Sequence, residues 1–188
     1  MVAIVDASAE RWDDLAELMG QRGDPSHCWC QYYRQDRAYD HGDRESNRAA
    51  MHRQVTTATV PHGVLAYDQG RPVGWCAVAP RADYPRLSRT RAASGTVDEP
   101  GLWSVSCFVV RVGHRRRGVA ARLLDAAVDL ARRHGARIVE AYPIDTTVRP
   151  ASSATLFQGP LSLYLRTGFA EIARPSEHRA IVRRTLNP

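Results

Sequence analysis

Apolar positions along the chain follow two periods, and where the period changes marks the elements. From Leu102 to Val110 the residues are nearly all apolar, rich in β-branched and aromatic types, and bounded by Gly101 and Gly113. That run predicts a buried strand. From Val119 to Arg133 the spacing becomes helical, with Ala120, Leu123, Leu124, Ala127, Val128 and Ala131 on one side and Arg122, Asp125, Asp129, Arg132 and Arg133 on the other. His134-Gly135 supplies a C-terminal stop, and Arg137–Tyr142 follows as a second strand. Strand, glycine-containing loop, helix, strand implies a parallel pair with a right-handed crossover.

The flanking chain is read the same way. Met1–Val5 is a short strand, and Asp6 or Ser8 is placed to cap a helix over Ala9–Met19 whose stripe is Trp12, Leu15 and Leu18. Arg44–Val55 is a weakly amphipathic helix resting on Ala50, Met51 and Val55. Gly63–Tyr67 and Pro72–Ala79 form a hairpin turning at Asp68-Gln-Gly70, and Gly74 marks a bulge or a close backbone approach. Arg81–Pro100 reads as an irregular solvated insertion; its Arg81, Arg86, Arg89 and Arg91 could also clamp an acidic substrate or a ribose phosphate. A second long loop runs from Pro143 to Pro160. Ser162–Thr167 is a short helix, and Ala170–Ala173 and Ala180–Thr185 close the fold as antiparallel strands.

With 188 residues the whole chain, 1–188, is expected to form one domain with a sizeable core. No stretch approaches the ~20 apolar residues of a membrane span, and no basic-then-apolar leader is present, so a cytoplasmic location is expected. Cys76 and Cys107 lie in predicted strands and read as core thiols. His27, Cys28 and Cys30 raise a metal site, but Cys-x-Cys lacks zinc spacing and no second pair follows, so no metal is expected. The net charge is +6 and every basic side chain is arginine, which raises nucleic-acid binding as a rival reading. The arginines are spread among acids and no nucleic-acid motif appears, favouring a solvated surface plus one anion site.

That site lies in the loop after the Leu102–Val110 strand. Free amides at a helix N-terminus, the helix dipole and Arg115, Arg116 and Arg117 favour a phosphate, and Gly118 and Ala120 keep the backbone approachable. The P-loop and dinucleotide spacings are both absent.

Arg115-Arg-Arg-Gly118-Val-Ala120 resembles the Arg/Gln-x-x-Gly-x-Gly/Ala signature of the GNAT superfamily of acyl-CoA N-acyltransferases, and Leu163-Tyr164-Leu-Arg-Thr-Gly168-Phe169 resembles that family's Leu-Tyr-x-x-x-Gly-Phe segment. The resemblance implies an α/β (α+β) fold: one domain, a mixed central sheet with a V-shaped splay between two parallel strands, and helices on both faces. It implies acetyl-CoA as donor and a primary amine as acceptor, joined by direct attack in a ternary complex. Phe108 and Val110 would hold the acetyl and pantetheine groups through their backbones, and Arg115, Arg116, Arg117, Gly118, Val119, Ala120 and Ala121 the pyrophosphate. Tyr164 would be the acid for the leaving thiolate and Glu140 the base, with His27, His62 and Asp145 as further candidates. Ser104 and Ser106 are expected to share a strand face with Phe108. Trp29, Tyr32 and Tyr33 suit an acceptor wall, or plain packing. Relatives often carry an asparagine where Phe157 stands, with Gln158 as an alternative. Dimers are frequent among such proteins. Other readings are a propionyl- or succinyl-CoA transferase, a non-catalytic CoA-binding module or a nucleic-acid-binding module.

Overall fold

The computed structural model describes residues 2–35, 43–93, 96, 98–148, 150–152 and 154–186. In chain order these form β1 (Ala3–Asp6), α1 (Trp12–Met19), α2 (Asp24–Cys28), α3 (Arg44–Thr57), β2 (Gly63–Asp68), β3 (Arg71–Pro80), β4 (Leu102–Val110), α4 (Val119–Arg133), β5 (Ile138–Ala141), α5 (Leu161–Arg166), β6 (Ala170–Ser176) and β7 (Arg179–Thr185). The strands make one sheet ordered β1-β2-β3-β4-β5-β7-β6. Among the described strands only β4 and β5 are paired in parallel; β7 inserts between β5 and β6 and runs antiparallel to both.

The β2–β3 turn uses Gln69 (φ 50°) and Gly70 (φ 76°), two successive left-handed residues, which match the twist of a two-residue hairpin. Gly74 satisfies both expectations held for it. Val73 is the extra residue of a bulge between the pairs Ala66–Gly74 and Tyr67–Pro72. A side chain at 74 would also lie 2.9 Å from Leu123 Cδ1 and 3.1 Å from Val119 Cγ1, so glycine lets α4 settle against β3. Val119, Leu123, Leu124, Ala127, Val128, Leu130 and Ala131 form the buried stripe of α4, and each fully buried leucine contributes roughly 1.5–3 kcal/mol.

The opposite sheet face is covered by α1 to α3, where Trp12, Leu15, Met19, Trp29, Met51 and Val55 meet Leu65 and Trp75. The buried line of α3 is Asn47, Met51 and Val55 rather than one including Ala50. Asn47 donates to the His27 carbonyl at 2.8 Å, which ties α3 to α2. Ser8 does not cap α1 with its side chain; a single 3-10 turn, Ala9–Arg11, precedes that helix, and Asp6 instead pairs with Arg133.

The insertion after β3 differs from the solvated loop expected of it. Its described part coils into 3-10 turns at Arg81–Asp83, Pro85–Arg89 and Arg91–Ala93. Tyr84 and Leu87, three apart and both fully buried, hold it down, because the 3-10 period of three brings i and i+3 to one side. Arg81, expected in solvent, is 3% exposed. Among the described residues no helix is long and apolar enough to cross a membrane.

Candidate active site

β4 leaves the sheet through a short 3-10 turn, Val112–His114, before α4 begins. Arg111 anchors this exit by donating to the Pro72 carbonyl at 2.8 Å and to Glu17 at 2.7 Å. His114 Nε2 lies 3.4 Å from Asp68. Arg116 (φ 58°) and Gly118 (φ 78°) then adopt left-handed backbone, which turns successive amides to one side as an anion-binding nest. The Arg115 amide donates back to the Val112 carbonyl, and the Arg122 amide donates to the Gly118 carbonyl. Between them, the amides from Arg116 to Ala121 have no backbone acceptor among the described residues. They sit at the positive end of a 15-residue helix, with exposed Arg116 and Arg117 beside them.

The turn opens onto a gap in the sheet. β4 and β5 pair from Leu102–Ile138 to Val105–Ala141, and the pairing then stops while β4 runs on to Val110. At the same point β4 carries a bulge: Ala77 faces Cys107 and Val78 faces Val105, leaving Ser106 as the extra residue. The bulge corrects the expected face. Trp103, Val105 and Phe108 all pack on the α4 side and Cys107 and Val109 on the α1–α3 side, so Phe108 does not share a face with Ser104.

On the α4 side, Phe108 meets Tyr164 at 6.3 Å between ring centres, and Tyr164 meets Phe169 edge-on at 5.2 Å. Gly168 (φ 82°) ends α5 so that the Phe169 amide returns to the Tyr164 carbonyl, which explains the spacing of that motif. Gly159 is needed for closeness, since a side chain there would lie 3.2 Å from the Tyr164 ring. The Tyr164 hydroxyl is buried and donates to the Gln158 carbonyl at 2.9 Å; burial, then the nearby Cys76 and Cys107, push its pKa well above the usual phenol range. It therefore keeps its proton at neutral pH. Val110 lies near the turn, its carbonyl accepting from Arg115 Nε at 3.0 Å.

Glu140 does not have the setting expected of a base. It is fully buried, opposite Ser104 in the β4–β5 ladder. One oxygen accepts from the Tyr142 hydroxyl and the other from Arg183 Nε at 2.7 Å, with Arg81 Nε at 3.9 Å from the first. Its carboxylate is occupied by protein donors rather than open to an amine. Burial, then the charge of Glu140, raise the Tyr142 phenol well above its ordinary range. Of the weaker candidates, His27 is exposed, and Asp145 is held below the usual carboxylate range by Thr147 and then Arg174. His62 is lowered to about 4 by burial and by Arg34, against Asp83.

The residues expected as an acceptor wall divide. Trp29 is 1% exposed, stacked on Trp12 at 5.7 Å between ring centres, and its indole donates to the Ser26 carbonyl, so it packs the core. The left-handed backbone at Trp29 (φ 47°) and Cys30 (φ 55°) turns the chain inward there. Tyr32 and Tyr33 instead meet Phe157 at 6.4 and 6.2 Å, in the aromatic group that also holds Tyr84 and Tyr142. A cavity of about 500 Å³ lies at the other end of β4, between Pro100, Trp103 and His134. It is remote from the amide turn, and ligands of parallel α/β units bind beyond the C-terminal strand ends.

The acetyltransferase (GNAT) family model matches residues 16–156. The chain belongs to the GNAT family. No curated protein matches this GNAT chain in sequence. Among solved structures it is similar to the GNAT domain of S. lividans PAT, with 19% identity, a TM-score of 0.59, and 98% of this chain and 90% of that one covered. It is similar to aminoglycoside 6'-acetyltransferase type Ii, with 15% identity, a TM-score of 0.59, and 99% and 98% covered. PaiA N-acetyltransferase from Thermoplasma acidophilum, solved in complex with coenzyme A, shares 12% identity and a TM-score of 0.56, with 99% of each chain covered. At these identities the likeness is one of fold. Membership of the acetyltransferase (GNAT) family makes the protein an acetyltransferase.

Sequence reasoning missed the polar group around Tyr142. Arg179 and Arg183 of β7 and Tyr84 of the insertion reach it from segments distant in sequence. Arginine at alternate positions of a strand whose intervening inward residue is apolar, as in Arg179-Ala-Ile181-Val-Arg183, was the available signal.

Proposed function

We propose that the protein transfers the acetyl group of acetyl-CoA to a primary amine by direct attack within a ternary complex. The observation that carries this is the run of unengaged amides from Arg116 to Ala121, set at the mouth of the gap where β4 and β5 part. A diphosphate fits that nest, with Arg115, Arg116 and Arg117 supplying countercharge and Gly118, Val119, Ala120 and Ala121 supplying donors. The pantetheine arm then lies along Phe108 and Val110, where β4 has no partner on the β5 side.

In the reaction the neutral amine attacks the thioester carbonyl carbon, the C–S bond breaks, and the departing sulfur takes a proton. We assign that last step to Tyr164, whose hydroxyl keeps its proton and whose ring packs edge-on against Phe108 of β4. The nitrogen gives its proton to solvent. Glu140 ties Arg183 of β7 to the Tyr142 hydroxyl rather than taking that proton.

The test has two parts. Acetyl-CoA should raise the melting temperature of the protein, because a ligand specific to the native state stabilises it. A mixed amine library should then release free thiol above the hydrolysis background, faster from acetyl-CoA than from propionyl- or succinyl-CoA. Absence of both stabilisation and thiol release would refute the reading.

A further inference from the structure

Two arginines near the gap carry charge that the described carboxylates answer only weakly, Arg81 through a long ion pair with Glu140 and Arg179 through none. Arg81 is 3% exposed, its Nε has no hydrogen-bond partner, and the nearest carboxylate oxygen is Glu140 Oε1 at 3.9 Å. Arg179 on β7 donates to two neutral groups, the Tyr142 carbonyl at 2.9 Å and Gln158 Oε1. The third arginine, Arg183, already takes both Glu140 at 2.7 Å and Glu99 at 2.8 Å. Among the described residues, these three guanidiniums thus share two carboxylates, Glu140 and Glu99. A buried cation without its partner is costly unless something else supplies the negative charge.

Three further polar atoms in the same group are buried and unpartnered: the Tyr84 hydroxyl, Ser106 Oγ and Gln158 Nε2. The Tyr84 hydroxyl faces Ser106 without closing a hydrogen bond. The group is continuous. Arg179 links Gln158 to the Tyr142 backbone, the Tyr142 hydroxyl lies 3.3 Å from Ser104 Oγ, and Ser106 follows on the bulge where β4 and β5 part. The unfilled capacity comprises a guanidinium N–H and an amide NH₂, which only donate, and two hydroxyls, which can donate or accept. A small oxyanion answers both the donors and the charge.

We propose that the acceptor is a small amine that also carries a carboxylate, an amino acid in the chemical sense, whose carboxylate is held by Arg81 and Arg179 with Gln158 and Tyr84. The inference rests on the N-acetyltransferase reading above and adds the substrate class. Phosphate and sulfate share this chemistry and also bind guanidinium through two oxygens, so the comparison of each acid with its carboxamide is what identifies a carboxylate.

The experiment measures thiol release from acetyl-CoA with the twenty common L-amino acids, each paired with its own carboxamide. For at least one pair the acid should exceed the amide in kcat/KM by about 10- to 100-fold, the range set by hydrogen bonds to charged groups. Arg179→Gln and Arg81→Gln should bring that ratio close to one, the KM of the acid rising more than that of the amide. Stabilisation by acetyl-CoA in each variant reports that it is folded; Arg179 is half-buried, so its variant serves if the Arg81 variant fails. Carboxamides used as well as acids, or a ratio unchanged in Arg179→Gln, would overturn the carboxylate site and leave the acetyltransferase standing. So would acids that are neither acetylated nor, with CoA bound, able to raise the melting temperature. Failure of the enzymatic reading would look different, because acetyl-CoA itself would then neither stabilise the protein nor release thiol with any amine.

Discussion

Glu140→Gln separates an organising carboxylate from a catalytic one. The wild-type side chain is fully buried, accepts from the Tyr142 hydroxyl and from Arg183 at 2.7 Å, and lies 3.9 Å from Arg81. Glutamine keeps the shape but removes the charge, and its NH₂ must point at one of the two donors. Breaking a buried ion pair by neutralising one partner costs about 3–5 kcal/mol. Arg183 retains Glu99 and is 21% exposed, so the lower end, about 3 kcal/mol, is expected. For a chain of this length each kcal/mol moves Tm by about 2–4 °C, giving a fall of about 6–12 °C in calorimetry, with a matching loss in urea unfolding. A double-mutant cycle with Arg183→Gln should return a coupling of about 1–3 kcal/mol. A variant that melts with the wild type while turnover drops a hundredfold would refute this and make Glu140 a base.

Tyr164→Phe should lower kcat at least tenfold, with acetyl-CoA affinity from calorimetric titration nearly unchanged and a stability loss of about 1 kcal/mol from the Gln158 carbonyl left without its donor. Equal kcat would remove the acid role. Gly74→Ala places a methyl 2.9 Å from Leu123 and 3.1 Å from Val119, so urea unfolding should show a loss of about 1–3 kcal/mol; a neutral result would mean that α4 can shift. His62 titrates near 4 when folded and near its ordinary 6.5 when unfolded, so between those values the unfolded chain binds more protons and stability rises with pH. Urea unfolding at pH 4.5 and 7 should show a smaller difference for His62→Gln than for wild type. An equal difference would exclude the imidazole as its source.

Much of this molecule was legible because local pattern and tertiary role agreed. The β4–turn–α4–β5 unit could be read from its apolar run, its glycine and its helical stripe, and the amide turn follows from that unit alone. The α5 motif was readable too, because Gly168 and Phe169 act within a few residues of Tyr164. What escaped depends on contacts distant in sequence. The bulge at Ser106 is visible only in the pairing with β3, so strict alternation placed Phe108 on the wrong face. Arg81 and Glu140 are 59 positions apart (140 − 81), so a charged insertion looked solvated, and local sequence could not decide whether Glu140 was a base, an exposed strand residue or the ion-pair partner it is. For Trp29 the sequence left an acceptor wall and plain packing both open, because left-handed backbone at a tryptophan leaves no trace in composition.

The extra residue in the central strand has an evolutionary consequence. It divides one continuous strand into two stretches with different surroundings: Ser104 faces the Tyr142 hydroxyl, and Phe108 faces the Tyr164 ring. Under the proposed function, substitutions that retune the acceptor can accumulate upstream of the kink without disturbing how the donor is gripped downstream. A lineage could thus exchange clients while keeping the same coin.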